Sequence, residues 1–196
     1  MKPFAESCEQ NKLPILKVLE RYLGNKKHLL EIGSGTGQHA VFFSEQFPHI
    51  TWQTSDRREN HEGIQLWIDE ADTENAKHPL DIDVCQPWPA IKGIDVIYSA
   101  NTCHIMSWHD VQCFFQGVGN ILQPGGHFIL YGPFNFNNTY TSESNALFDQ
   151  RLKSRDPLSG IRNFEDLCEL GKENGLVFEE NIEMPANNRT LVWVKA

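Results

Sequence analysis

The sequence predicts an α/β protein built on a doubly wound, mostly parallel sheet. Three observations carry this. Strand-like and helix-like patterns alternate along most of the chain. A glycine-rich turn joins the first strand to the helix after it. Two strand-like runs then follow one another at the C-terminus with turn residues between them, the pattern of an antiparallel hairpin. At 196 residues the chain has the length of a single domain, residues 1–196, with a sizeable core.

Apolar residues at 15, 16, 18, 19, 22 and 23 form a helical face from Pro14 to Leu23, within an N-terminal helical segment spanning 1–28. Pro14 suits a first turn and Gly24 a stop. Leu29–Ile32 reads as strand one and Gln38–Phe47 as a helix that Pro48 ends. Ile50–Thr54 is strand two, and 58–75 is helical. Leu80–Val84 alternates as strand three, and Ile94–Tyr98 is strand four. A helix over Trp108–Leu122, a Pro124-Gly-Gly126 turn and strand five at His127–Tyr131 follow. Phe164–Asn174 is helical with acids in its first turn, and Gly175 ends it. Leu176–Glu183 and Thr190–Val194 form the hairpin around Pro185-Ala-Asn-Asn188. Residues 132–162 interrupt the alternation. This insertion leaves the carboxyl end of strand five, where open α/β sheets bind ligands, so a lid over a substrate site is expected there.

Within Leu29-Leu-Glu-Ile-Gly-Ser-Gly-Thr-Gly-Gln-His-Ala40, strand one ends in an acid, Glu31, and the turn carries Gly33, Ser34, Gly35 and Gly37. Glycine permits positive φ and close approach of backbone to a ligand. The spacing is G-x-G-x-G; a dinucleotide fingerprint wants its third glycine one place later, where Gln38 stands. Asp56 ends the second strand-like run, 25 residues after Glu31, where a carboxylate can accept hydrogen bonds from both ribose hydroxyls.

These residues resemble the class I methyltransferases that use S-adenosyl-L-methionine. The resemblance implies a Rossmann-like seven-stranded sheet of order 3-2-1-4-5-7-6. It also implies that Glu31, Gly33, Ser34, Gly35 and Gly37 hold the methionine part of the cofactor, Asp56 the ribose, and Asp83 with the Val84 N–H the adenine. Asp81 is the rival of Asp83, and Trp88 either flanks the adenine or packs in the core. Asn101-Thr-Cys-His-Ile-Met-Ser-Trp108, Tyr131-Gly-Pro-Phe134, Thr141-Ser-Glu-Ser-Asn-Ala146, Gly160-Ile-Arg162 and Met184-Pro-Ala-Asn-Asn188 are together similar to the methyltransferase-like 26 family. Where that family's pattern has an arginine before Asn11, Gln10 stands here.

Beyond strand four, Asn101 can hydrogen-bond cofactor or substrate through donor and acceptor. His104 is the candidate general base, since imidazole titrates near neutral pH, and Tyr140 is an alternative. Methyl transfer from a sulfonium needs no nucleophilic residue, so Cys103 reads as a small apolar loop residue.

A net charge of −9 speaks against sequence-independent nucleic-acid binding and points to a small-molecule substrate. A macromolecular acceptor, or cofactor binding without catalysis, is the alternative. No apolar run approaches the roughly 20 residues of a membrane span. Met1-Lys-Pro-Phe-Ala-Glu has no apolar signal core, so a cytoplasmic location is expected. The five cysteines include no C-x-x-C pair; reduced thiols are expected, with neither a disulfide frame nor a metal site.

Overall fold

The computed structural model of the chain describes residues 2–71 and 73–196. The elements in order are α1 (Glu6–Leu23), β1 (His28–Ile32), α2 (Gln38–Gln46), β2 (Thr51–Asp56), α3 (His61–Glu70), β3 (Ala76–Asp81), β4 (Ile94–Ala100), α4 (Trp108–Ile121), β5 (Leu122–Gly132), β6 (Phe134–Asn135), α5 (Glu143–Arg155), β7 (Arg162–Asn163), α6 (Phe164–Glu173), β8 (Leu176–Met184) and β9 (Asn188–Lys195). Seven strands form one sheet in the order β3-β2-β1-β4-β5-β9-β8; β6 and β7 pair separately. Counting only the seven, the order is 3-2-1-4-5-7-6, the one the resemblance implies. The first five run parallel to one another, and β9 runs antiparallel to both β5 and β8.

Central strands are apolar on both faces because helices cover both. Successive residues point to opposite sides, so Ile97, Phe128 and Trp193 meet α4 and α6, while Val96, Tyr98, Ile129 and Val192 meet α1 and α2. On one side Phe114, Phe115, Phe128 and Trp193 pack edge-on or stacked with neighbouring ring centroids 5.3–6.1 Å apart. On the other, Phe43, Trp52 and Tyr98 lie 5.6–5.9 Å apart. Ser107 opens α4 with a capping box: its hydroxyl accepts from Asp110 N while its own N–H donates to the Asp110 carboxylate.

Several sequence expectations need correction. Helix α1 begins at Glu6, so Pro14 lies inside it rather than in its first turn. Gly24 caps its end in right-handed conformation, φ −55°. Strand β3 runs over 76–81, about four residues earlier than the alternation indicates. It is an edge strand, half exposed and carrying Pro79, so burial imposes no clear period on it. Asp83 and Val84 therefore lie in the loop beyond it. Helix α3 stops at Glu70; Asn75 instead donates its amide to the carbonyls of Ser44, Phe47 and Ile50, tying the start of β3 to the end of α2. The cysteines are not all free thiols: Cys85 and Cys113 form a disulfide with Cα atoms 5.0 Å apart. Their separation of 28 residues hides the pairing from any local spacing; it arises because α4 returns alongside the loop that follows β3. Among the described residues no helix is long and apolar enough to cross a membrane.

Candidate active site

The sheet order reverses between β1 and β4, and loops leaving the carboxyl ends of β1, β2 and β4 diverge around a cleft of about 810 Å³. Its lining contains Glu31, Gly33, Ser34, Gly35, Asp56, Asp83, Val84 and Asn101, drawn from four separate stretches of the chain. Gly37, the remaining member of the turn, does not line the cleft; it begins α2 against Ile64 and Trp67 of α3.

The glycine turn is fixed by bonds to its neighbours. Gly33 N and Ser34 N both donate to Ser55 O at 3.0 Å, Gly37 N donates to Ser34 O, and Gly35 N donates to Asp56 Oδ2 at 2.7 Å. Gly33 has φ +74°, and a Cβ there would overlap Thr102 Cγ2. Gly35 has φ +58°, and the space beside it is open.

Glu31 is buried at 2 % exposure. One of its oxygens accepts from Ser34 Oγ (3.1 Å) and Trp52 Nε1 (3.0 Å). Burial pushes its carboxyl up to about 7, against the pull of those two donors. Asp56 Oδ1 accepts from Arg57 N and Asn60 Nδ2, each at 2.8 Å, and Oδ2 from Gly35 N, so its carboxylate is oriented and its open acceptor position is on Oδ2. Asp83 faces the cleft while Asp81 does not, and Asp83 Oδ1 accepts from Cys85 N. Asn101 sits at φ +60°, an uncommon state for a non-glycine residue, with its N–H held by Tyr131 O at 2.9 Å.

Neither candidate base reaches this lining. His104 is buried edge-on against Phe148, 5.2 Å between centroids, and burial followed by the Arg162 charge pushes its imidazole down to about 4. Tyr140 donates its hydroxyl to Asp149 at 2.7 Å, which raises its pKa and leaves it a poor base. Trp88 stacks on Phe114 and donates to Val84 O, so it packs in the core rather than against the cleft. The 132–162 segment does not cover the cleft either. Helix α5 is bound toward the far hairpin by Asn145 Nδ2 on Asn187 O, and Ile161 N donates to Asp149. Arg162 braces the loop after β4 from behind through the carbonyls of Cys103 and Met106.

The cover comes from a part of the chain that local pattern did not mark. Pro3, Ala5, Ser7 and Cys8 line the cleft, with Glu59, Asn60, Glu62, Gly63 and Leu66 from the turn and helix after β2. Gln38, at the place of the missing third glycine, accepts from Ala5 N (2.6 Å) and donates to Glu9 (3.1 Å). Trp67 Nε1 donates to Pro3 O at 2.7 Å. The sequence signal available was Gln38 itself, a long polar side chain buried where a glycine turn enters a helix. His39 also lines the cleft; it is buried, bonded to Asn11 Oδ1 at 2.7 Å and pushed down to about 4 by burial.

The walls are acidic. Glu31, Asp56, Glu59, Glu62, Asp83 and Asp110 face the cleft, against the single guanidinium of Arg57. Such a site favours a ligand carrying positive charge.

Comparison with solved structures identifies the fold. The chain has the fold of the S-adenosylmethionine-dependent methyltransferases. It superposes on an O-methyltransferase family protein from Burkholderia thailandensis with TM-score 0.83 and 12% identity, covering 97% of this chain and 58% of that one. Human N-acetylserotonin methyltransferase in complex with SAM gives 0.80 and 14%, covering 97% and 53%. An O-methyltransferase family 2 protein from Planctomyces limnophilus in complex with apigenin gives 0.80 and 14%, covering 97% and 60%. The chain thus spans little more than half the length of these proteins. The chain belongs to the family described as protein of unknown function (DUF938), whose profile matches residues 2–195.

Proposed function

We propose that the cleft binds S-adenosyl-L-methionine and that the protein transfers its methyl group to a small molecule. The observation that carries this is the polarity of the glycine turn. In a dinucleotide site the turn's N–H groups face a pyrophosphate. Here those of Gly33, Ser34, Gly35 and Gly37 are engaged by protein oxygens, and six carboxylates line the walls. A dianionic pyrophosphate would be repelled, whereas a ligand with an ammonium and a sulfonium is attracted.

When bound, S-adenosyl-L-methionine supplies an activated methyl that an acceptor nucleophile displaces in line, leaving S-adenosylhomocysteine. In this reading Glu31 receives the amino group, Gly33–Gly35 pass under the methionine part, and Asp56 accepts the ribose hydroxyls. Asp83 and Val84 N–H face the adenine, and Asn101 lies between cofactor and acceptor. The chain's work is positioning and exclusion of water, which can supply roughly 7–11 kcal/mol, so the distance of His104 and Tyr140 from the cleft does not oppose it. Leu66, Ile105 and Met106 give the lining an apolar side for the body of an acceptor. The acidic rim disfavours nucleic acid. The O-methyltransferase neighbours and the residue patterns similar to the methyltransferase-like 26 family support the same reading.

Thermal unfolding with ligands tests it. S-adenosylhomocysteine at 100 times its Kd should add about 2.7 kcal/mol, or roughly 5–10 °C in Tm for a chain this size, and NAD should add nothing. Equal stabilisation by NAD, or none by S-adenosylhomocysteine, would contradict it.

A further inference from the structure

The disulfide has a third donor beside it. His109 and Cys113 stand one turn apart on α4, with His109 Nε2 3.8 Å from Cys113 Sγ. The donor atoms of Cys85, His109 and Cys113 all lie within 4.8 Å of one another. Asp110 Oδ1 is 3.5 Å from Cys85 Sγ, while the other oxygen of Asp110 serves the helix cap. Tetrahedral zinc with Zn–S of about 2.3 Å and Zn–N of about 2.0 Å sets sulfur–nitrogen separations of roughly 3.5 Å and sulfur–sulfur separations of roughly 3.8 Å. The nitrogen and the carboxylate oxygen already stand near such distances; only the two bonded sulfurs would have to part. Cys85 lies in the irregular stretch between β3 and β4, which carries no regular ladder to resist that movement.

We infer that Cys85, Cys113 and His109 form a redox-gated site for a thiophilic divalent cation of the zinc class, with Asp110 or water completing the tetrahedron. The disulfide is its closed state, since sulfurs joined to each other cannot both serve as thiolates. A dithiol reductant opens the bond, giving two electrons and two protons to the Cys85 and Cys113 sulfurs and becoming a disulfide itself. The cation then displaces both thiol protons and takes the two thiolates and the His109 nitrogen. Among the described residues no other group of three such donors gathers at metal-binding distance. Cys8, Cys103 and Cys168 are each pushed up, to about 11, 12 and 11, with burial the leading cause. The site sits two residues past Asp83, so either linkage, disulfide or metal, holds the loop at that edge of the cleft. The inference does not depend on what the cleft binds.

Cobalt(II) reports thiolate ligation by its charge-transfer absorption. The reduced full-length protein should take up one Co²⁺ per chain with that absorption, and one equivalent of Zn²⁺ should remove it. The oxidised protein should show none. Cys85→Ser and Cys113→Ser should each abolish the band, with the other three cysteines serving as internal controls, and His109→Ala should weaken binding at least about tenfold. Reduced wild type without the band would overturn the site whatever the variants do. So would a band that survives Cys85→Ser or Cys113→Ser, or His109→Ala binding as tightly as wild type.

Discussion

Glu31 is the residue on which two kinds of energy meet. Its carboxyl is buried and pushed up to about 7, above the value near 4.3 expected of an unfolded glutamate. Below both values the side chain is neutral in folded and unfolded chains. As pH rises through the interval between them, the unfolded chain loses its proton first, and the folded state loses stability until Glu31 itself ionises near 7. Glu31→Gln keeps acceptors for Ser34 and Trp52 and has no proton to lose. The stability of wild type relative to Glu31→Gln should therefore fall from about pH 4.5 to pH 7 and then level off; chemical denaturation across pH measures it, and a flat difference would refute the buried-acid account. A neighbouring ammonium group would favour the ionised form, so S-adenosylhomocysteine binding near pH 7 should release protons in wild type and not in the variant. Asp56 makes a second prediction. Replacing its carboxylate by the amide in Asp56→Asn weakens charge-assisted hydrogen bonds worth about 1.5–3 kcal/mol each. Calorimetry should show affinity for S-adenosylhomocysteine reduced at least about tenfold with the circular dichroism unchanged. Unaltered affinity would place the ribose on another residue.

At the scale of elements, the cleft is covered by the N-terminus rather than by the insertion. Residues 3–8 are tied to Gln38 and Trp67 on one side of the cleft, whereas α5 is held against the far hairpin and Tyr140 is committed to Asp149. Hydrogen exchange with S-adenosylhomocysteine should protect amides near residues 3–8 and 33–37 and leave α5 unchanged. Protection appearing in α5 instead would restore a lid to residues 132–162. This element also shows where sequence reading stops. The insertion's length, polarity and departure from β5 are local facts, but the direction in which it folds is decided by contacts with Asn187 and Glu165 that lie far along the chain. Strand β3 was shifted for the opposite reason. At an exposed edge with Pro79 there is little burial to imprint a period, and Leu80-Asp-Ile-Asp-Val84 alternates through the loop that follows.

For the whole molecule, the parallel sheet was legible because its central strands, buried on both faces, read as short continuous apolar runs, while its helices, buried on one, carry the helical period. The glycine turn between Glu31 and Asp56 stood out in the sequence because positive φ, which Gly33, Gly35 and Gly37 adopt, leaves few residue choices. Gln38 was visible only as a deviation from a dinucleotide spacing, and its task appears once Ala5 and Glu9 are seen beside it. The Cys85–Cys113 pair and the burial of His104 against Phe148, outside the cleft lining, are tertiary outcomes with no local signature. The central claim is that the acidic cleft is an adenosyl-sulfonium site, and an experimental structure of the protein with S-adenosylhomocysteine tests it most directly. The account predicts the amino group at Glu31, both ribose hydroxyls on Asp56, the adenine at Asp83–Val84, and the sulfur facing Asn101. A ligand bound elsewhere, or one whose ribose lies away from Asp56, would contradict it.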